Sequence, residues 1–147
     1  MSNEVHNRDA NVLIDEIEGD ILHMDPPYNH RQYGANYHML NTVALYDDFQ
    51  PAGKTGLRAY ERSRWCVKNE VSNAFADLIG KAKFKYIFLS YNNEGLMSLE
   101  DVRKTMEKYG RYELIEQPYQ RFKADKTENR NHKATSTMEY LHVLDKS

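Results

Sequence analysis

Tyr86-Ile87-Phe88-Leu89 is a run of four large apolar residues with no polar break, and it limits the fold of this chain more than any other feature. A strand with one wet face alternates apolar and polar side chains. An unbroken run marks a strand buried on both faces, as in parallel sheets layered with helices. The strand is predicted over Phe84–Ser90, with Ser90-Tyr91-Asn92-Asn93 at its carboxyl end. A helix is predicted on either side. Ser63–Ala82 places Val67, Val71, Ala74, Phe75, Leu78 and Ile79 at helical spacing, with Trp65 and Cys66 as core near its start. Ser98-Leu99-Glu100-Asp101 resembles a capping box ahead of Leu99, Val102, Met106 and Tyr109, and Gly110 stops that helix.

The other elements follow the same periodicities. Asp9–Glu18 reads as a short helix capped by Asp9 and closed by Gly19, and Ile21–Met24 as a buried strand. Asn29–Arg62 has no sustained period; its glycines, Pro51 and scattered tyrosines suggest a partly ordered binding loop. Gly53-Lys54-Thr55 does not make a phosphate loop, because Asp48 stands where that motif needs a glycine and no strand precedes it. Tyr112–Gln117 and Met138–Leu144 read as strands. The polar segment Arg121–Ser136 between them shows no helix, so the two should pair antiparallel. The sum is an α/β fold whose sheet is mostly parallel, with one antiparallel strand near the C-terminus.

At 147 residues the chain is expected to be a single domain, 1–147. Its net charge of −2 gives no global signal for nucleic acid, but the charge is unevenly spread. Met1–Asp25 has seven acidic residues and one basic; Pro51–Glu70 and Tyr119–Lys133 each have five basic and two acidic. Such stretches suit a one-sided anion-binding surface, or else ordinary solvated loops. Cys66 is the only cysteine, which excludes disulfides within the chain and suits a reducing cytosol. No apolar run approaches the roughly 18 residues of a membrane span. The six histidines are scattered without metal-ligand spacing.

Asp25-Pro26-Pro27-Tyr28 follows directly on the Ile21–Met24 strand. Open α/β sheets carry their chemistry at the carboxyl ends of strands. Each proline fixes its own φ, and Pro27 biases Pro26 toward extended geometry. The Asp25 carboxylate, the Pro26 carbonyl and the Tyr28 ring are thereby held in a fixed relation. The plainer readings are a turn-capping aspartate and a tyrosine packed under its loop.

This strand order, with Asp25-Pro26-Pro27-Tyr28 after the first strand, resembles the carboxyl-terminal half of the Dam-like class of adenine-N6 DNA methyltransferases. Ser90-Tyr91-Asn92 looks like the family's next strand-end motif. Arg121-Phe122-Lys123-Ala124, Asn129-Arg130-Asn131 and Glu139-Tyr140-Leu141 look like its final loop and strand. The likeness extends over roughly residues 9 to 145. It implies part of a Rossmann-like, S-adenosylmethionine-dependent methyltransferase sheet. Members carry a glycine-rich cofactor motif well upstream of the tetrapeptide, whereas Gly19 is the only glycine before Asp25 here. The chain is therefore expected to be a truncated product, a fragment or one half of a split enzyme.

The resemblance implies that Asp25, Pro26, Pro27 and Tyr28 form the catalytic motif, with Asp25 also touching S-adenosylmethionine. Tyr33, Tyr119, Arg121, Phe122, Lys123, Lys126, Arg130 and Lys133 would contact double-stranded DNA. Either Tyr119 or Phe122 could supply the second face of a base sandwich, or simply pack a strand. A bacterial or phage cytoplasm is the implied location. The open edge at Ile21–Met24 suggests a homodimer or a companion chain bearing the amino-terminal half. Two other readings stay open: a non-catalytic remnant or DNA-binding subunit, and an RNA or protein amino-group methyltransferase using the same tetrapeptide.

Overall fold

The computed structural model describes residues 3–120 and 136–147. Asp9 caps helix α1 (Ala10–Leu13), its carboxylate accepting from the Asn11 amide at 2.8 Å. The helix is shorter than its sequence suggests, because strand β1 (Glu18–Met24) begins earlier than Ile21. Gly19 does not stop the helix; it sits in β1 opposite Phe84, whose ring lies 3.2 Å from where a Cβ would stand. Pairing with Lys83–Lys85 draws Glu18–Asp20 into the strand, and Lys85 meets Asp20 at 2.6 Å.

Asn29–Arg62 is more regular than its sequence indicates. It holds α2 (Tyr33–Asn36) and α3 (His38–Leu45). The period is invisible because α3 has no buried face: Met39, Leu40, Val43 and Leu45 are all exposed. Gly53 and Gly56 adopt positive φ and close a small bridge between Ala52 and Leu57.

The long helix expected from Ser63 is divided. The Ser63 hydroxyl caps a 3-10 turn, Arg64–Cys66, and the β-branched Val67 is extended (φ −114°, ψ 116°), which breaks the register. Helix α4 (Val71–Lys81) then buries Val71, Ala74, Phe75, Leu78 and Ile79. Trp65 and Cys66 are buried as expected, but through the turn. After β2 (Lys83–Asn92), Ser98 caps α5 (Leu99–Met106), its Oγ accepting from the Asp101 amide at 3.1 Å. Strands β3 (Arg111–Gln120) and β4 (Ser136–Asp145) complete the fold and pair antiparallel.

The sheet order is β1-β2-β4-β3. It is mixed rather than mostly parallel: β1 and β2 pair parallel, whereas β2–β4 and β4–β3 pair antiparallel. The cause is the place of β4. Inserted between β2 and β3, it turns one potential parallel contact into two antiparallel ones.

The expectation of two-sided burial is met on one side only. Ile87, Leu89, Tyr91, His142 and Leu144 are buried on the face covered by α1, α4 and α5. On the opposite face the register brings together Ile21, Tyr86, Phe88, Leu141, Val143 and Ile115. None of these six is buried; Ile21 is 61% and Ile115 51% exposed. The sequence of β2 is that of a two-sided strand, and the described residues cover one side.

His142 is the polar exception in the core. Its Nδ1 lies 2.8 Å from the Tyr112 hydroxyl, and its Nε2 has no partner among the described residues. Burial, aided by the positive charge of Arg103, pushes its pKa down to about 4. The folded protein thus holds His142 neutral, while the unfolded chain protonates it below about pH 6.5. Its contribution is complete above that pH and is lost as the pH falls toward 4. Urea titrations are expected to lose on the order of 3 kcal/mol of stability across that window. His142→Leu should flatten that part of the profile.

Candidate active site

Asp25 is the first residue beyond β1, and its side chain is exposed where the strand stops. Pro26 and Pro27 follow, partly buried, and Tyr28 turns back. The Tyr28 hydroxyl donates to Asp25 Oδ1 at 2.6 Å. Burial, that hydrogen bond and the Asp25 charge push the Tyr28 pKa far above the ordinary tyrosine value, so the phenol remains a proton donor to the carboxylate.

The tyrosine is held from two directions. Its carbonyl accepts from the Leu96 amide at 2.9 Å. Its ring meets Tyr91 edge-to-face, with centroids 5.2 Å apart and planes at 79°. Tyr91 is itself buried at the end of β2, and its hydroxyl accepts from the Met97 amide at 3.1 Å. Gly95 makes room for it: a Cβ there would run into the Tyr91 ring. In the sequence Tyr91 stands out only within the Ser90-Tyr91-Asn92 strand-end motif, with no site role of its own. Its alternation with Ile87 and Leu89 signals burial, and its position at the strand end puts that burial beneath the tetrapeptide.

Two clefts meet at Asp25–Pro27. One, of about 220 Å³, is also lined by Tyr28, Asn29, Arg31, Tyr33, Asn36 and Tyr37. The other, of about 610 Å³, lies against α1 and β1 and is lined by Leu13, Ile17, Leu22 and Leu78, with Arg8 and Arg62 at its margin. The smaller is lined by aromatic and polar side chains, the chemistry of a site for planar polar groups. The larger has no glycine among its lining residues.

The segment after Tyr28 is fastened down. The Gln32 side-chain amide donates to the Ser63 carbonyl at 3.2 Å, and its oxygen accepts from the Ser63 amide at 2.8 Å. The Cys66 thiol donates to the Arg31 carbonyl at 3.4 Å, and burial pushes its pKa up, away from reactivity. Behind it, the buried Asn11 accepts from the Trp65 indole at 3.0 Å and donates to the Ala74 carbonyl at 2.7 Å. The amino-terminal helix, the 3-10 turn and α4 are thus tied together under the site.

Of the residues singled out in the sequence, Asp25, Pro26, Pro27, Tyr28 and Tyr33 line one cleft. Tyr119 is elsewhere. It is at the same end of the sheet, but β3 lies three strands from β1, roughly 14 Å away at ordinary strand spacing. Arg121, Phe122, Lys123, Lys126, Arg130 and Lys133 fall outside the described residues. Asn29, Arg31, Asn36 and Tyr37 also line the cleft; the only sequence signal for Tyr37 is its spacing four residues after Tyr33.

Among the described residues no helix is long and apolar enough to cross a membrane. The chain is 64% identical over 144 residues to the type II methyltransferase M.NlaIII of Neisseria lactamica, covering 98% of this chain and 43% of that protein. It is 43% identical over 150 residues to the type II methyltransferase M.FokI of Planomicrobium okeanokoites, covering 99% of this chain and 23% of that protein. A third relative, the type II methyltransferase M.CviAII of Paramecium bursaria Chlorella virus 1, is 38% identical over 121 residues, 82% of this chain and 36% of the relative. The chain thus spans less than half the length of each. No solved structure matches it significantly. The family model for the D12 class of N6 adenine-specific DNA methyltransferases matches residues 1–105, which hold α1 through β2, α5 up to its last residue, and the whole of the Asp25–Tyr37 cleft. The chain belongs to the D12 class of N6 adenine-specific DNA methyltransferases.

Proposed function

We propose that this chain carries the acceptor-base end of a site-specific DNA methyltransferase that acts on the N6 amine of a flipped adenine. The observation that carries this reading is the arrangement of Asp25, Pro26 and Tyr28 at the mouth of the 220 Å³ cleft. The adenine amine is a poor nucleophile because its lone pair is delocalised into the ring. Attack on a methyl group builds positive charge on that nitrogen. The Asp25 carboxylate and the Pro26 carbonyl would accept its two hydrogens, hold the nitrogen in line and favour the charge. The Tyr28 ring would stack on the base, and its hydroxyl would keep one Asp25 oxygen oriented. The base must leave the duplex to reach such a pocket.

S-adenosylmethionine would supply the methyl group as a sulfonium. The fit of this chain to that cofactor is partial. Asp25 and Pro26 stand at the rim of the larger cleft, but the residues lining it provide no glycine turn for close backbone approach. We therefore assign Asp25 a contact with the cofactor's reactive end and leave the rest of the cradle to another segment.

A companion surface supports the same division. The outer edge of β1 is unpaired among the described strands, and the bare face carries Ile21, Tyr86, Phe88, Leu141, Val143 and Ile115. An open edge beside an apolar face recruits a partner. That partner would be a glycine-rich cofactor half or a second copy of this chain. The rest of the sheet would then read as part of a Rossmann-like methyltransferase sheet, with 1–147 as its carboxyl-terminal portion. Arg121, Lys123, Lys126, Arg130 and Lys133 would contact DNA phosphates, Tyr119 and Phe122 would lie along the duplex, and Tyr33 would face a base. A bacterial or phage cytoplasm would be its location.

The test is reconstitution. The chain is mixed with the part of the Neisseria lactamica relative that it does not span, and labelled S-adenosylmethionine is supplied with duplex DNA or structured RNA. Label is expected in DNA and only with both polypeptides. Label in RNA alone would contradict the substrate. Micromolar cofactor binding by this chain alone would contradict the division of the site. Light scattering should show self-association or complex formation; a stable monomer at high concentration would count against the companion surface.

A further inference from the structure

The tetrapeptide accounts for only part of the lining of the 220 Å³ cleft. Tyr33 and Tyr37, in the same lining, stack on each other, with centroids 5.6 Å apart and planes at 15°. Both remain open to solvent, 54% and 49% exposed. Tyrosine joins a large apolar ring to a polar hydroxyl and is enriched at interfaces for that reason. These two project from α2 and the start of α3, and that mount is rigid. The paired hydrogen bonds between Gln32 and Ser63 fix the entry to α2, and the Cys66 thiol holds the preceding carbonyl. At Gly34 an added Cβ would come within 2.6 Å of the Tyr60 Cβ, so α2 is seated directly on that segment. An aromatic pair fixed in advance loses little freedom on binding.

We propose that Tyr33 and Tyr37 form a stacking platform for a second nucleobase, the neighbour on the same strand of the adenine that enters the Asp25–Tyr28 pocket. The inference rests on the adenine reading of that pocket and extends it along the strand. The tetrapeptide and the tyrosine pair line one cleft, so a nucleotide whose base enters at Tyr28 has its neighbour within reach of Tyr33 and Tyr37. Arg31 lines the same cleft and supplies a cation for a phosphate. Asn29 and Asn36 add amide groups that can donate and accept along a base edge. The platform takes any base by its face, and the asparagine amides of the cleft would supply any preference by its edge.

The experiment uses the full 147-residue chain and two single-stranded trinucleotides, dT-dA-dT and the same molecule with abasic sites flanking the adenine. Both carry the same phosphates, so their ratio of dissociation constants, read by NMR titration, isolates stacking of the flanking bases. The wild type is expected to prefer the intact trinucleotide by roughly 5- to 150-fold, the range for one base stacked on an aromatic side chain. Tyr37→Leu should bring the ratio to one, and Tyr37→Phe should keep it. A preference that survives in both Tyr33→Leu and Tyr37→Leu, or a wild type without preference, overturns the platform. Equal weakening of both ligands by Tyr37→Leu means that the platform holds the central adenine, which overturns the neighbour assignment and leaves the adenine pocket standing. An equal preference for dT-dC-dT over its abasic-flanked form, with no preference for adenine at the centre, sustains the platform while removing the adenine pocket. Binding of no trinucleotide at all overturns both.

Discussion

Asp25→Ala, in the chain combined with its cofactor half, is expected to lower the methyl-transfer rate by about a hundred- to a thousandfold or more, the range seen when a preorganised charge-stabilising group is removed. Duplex affinity should stay within about tenfold, because phosphate contacts dominate it. The contrast follows from the place of Asp25. It is an exposed carboxylate at the end of a strand, with one oxygen held by the Tyr28 hydroxyl at 2.6 Å, and the fold does not depend on it. Single-turnover rates and gel-shift affinities measured on the same variant separate the two effects. Asp25→Asn keeps one acceptor oxygen without the charge and should fall between the wild type and the alanine variant. Unchanged turnover in Asp25→Ala would remove the carboxylate from the chemistry.

Tyr91→Ala is expected to combine the two largest structural losses available near the site. Tyr91 is 1% exposed, supports the Tyr28 ring edge-on and accepts from the Met97 amide. Truncating a buried aromatic costs about 3–5 kcal/mol in comparable cores. The same change leaves the Met97 amide unpaired and Tyr28 without its support, so turnover should fall further than the lost stability explains. Tyr91→Phe separates the two. It keeps the ring contact and loses only the hydrogen bond, a cost of about 1–3 kcal/mol for a buried amide left unsatisfied. Near-normal turnover is then expected at temperatures where the variant is folded. Chemical denaturation paired with single-turnover rates distinguishes the variants; equal turnover in Tyr91→Ala and Tyr91→Phe would contradict the supporting role.

What the sequence disclosed depended on whether each signal was local. The strand-end carboxylate, the Ser98 cap and the apolar stripe of α4 are written in neighbouring residues, and each is found in the fold. The break at Val67 is not, because Trp65 and Cys66 fit a helical stripe as well as they fit a buried 3-10 turn. Helix α3 was hidden for the opposite reason: nothing in the described chain covers its apolar residues, so no amphipathic contrast marks it. Tyr91 is marked in the sequence only as part of the Ser90-Tyr91-Asn92 motif; its support of Tyr28 and the place of Tyr37 in the cleft of Asp25 are visible only in the folded contacts. The run Tyr86–Leu89 carried more than the described fold uses. It anticipates cover on both faces, and the uncovered face is where the companion surface is proposed.

The most direct test of the proposed chemistry is the identity of the methylated atom. DNA treated with the reconstituted enzyme and S-adenosylmethionine is digested to nucleosides and separated by mass. N6-methyl-2′-deoxyadenosine is expected as the product with wild-type chain, and its rate of formation is expected to fall by the same factor, about a hundred- to a thousandfold or more, with Asp25→Ala. N4-methylcytosine in its place, or N6-methyladenine formed as readily by Asp25→Ala, would contradict the assignment of Asp25-Pro26-Pro27-Tyr28 as the adenine-amine site.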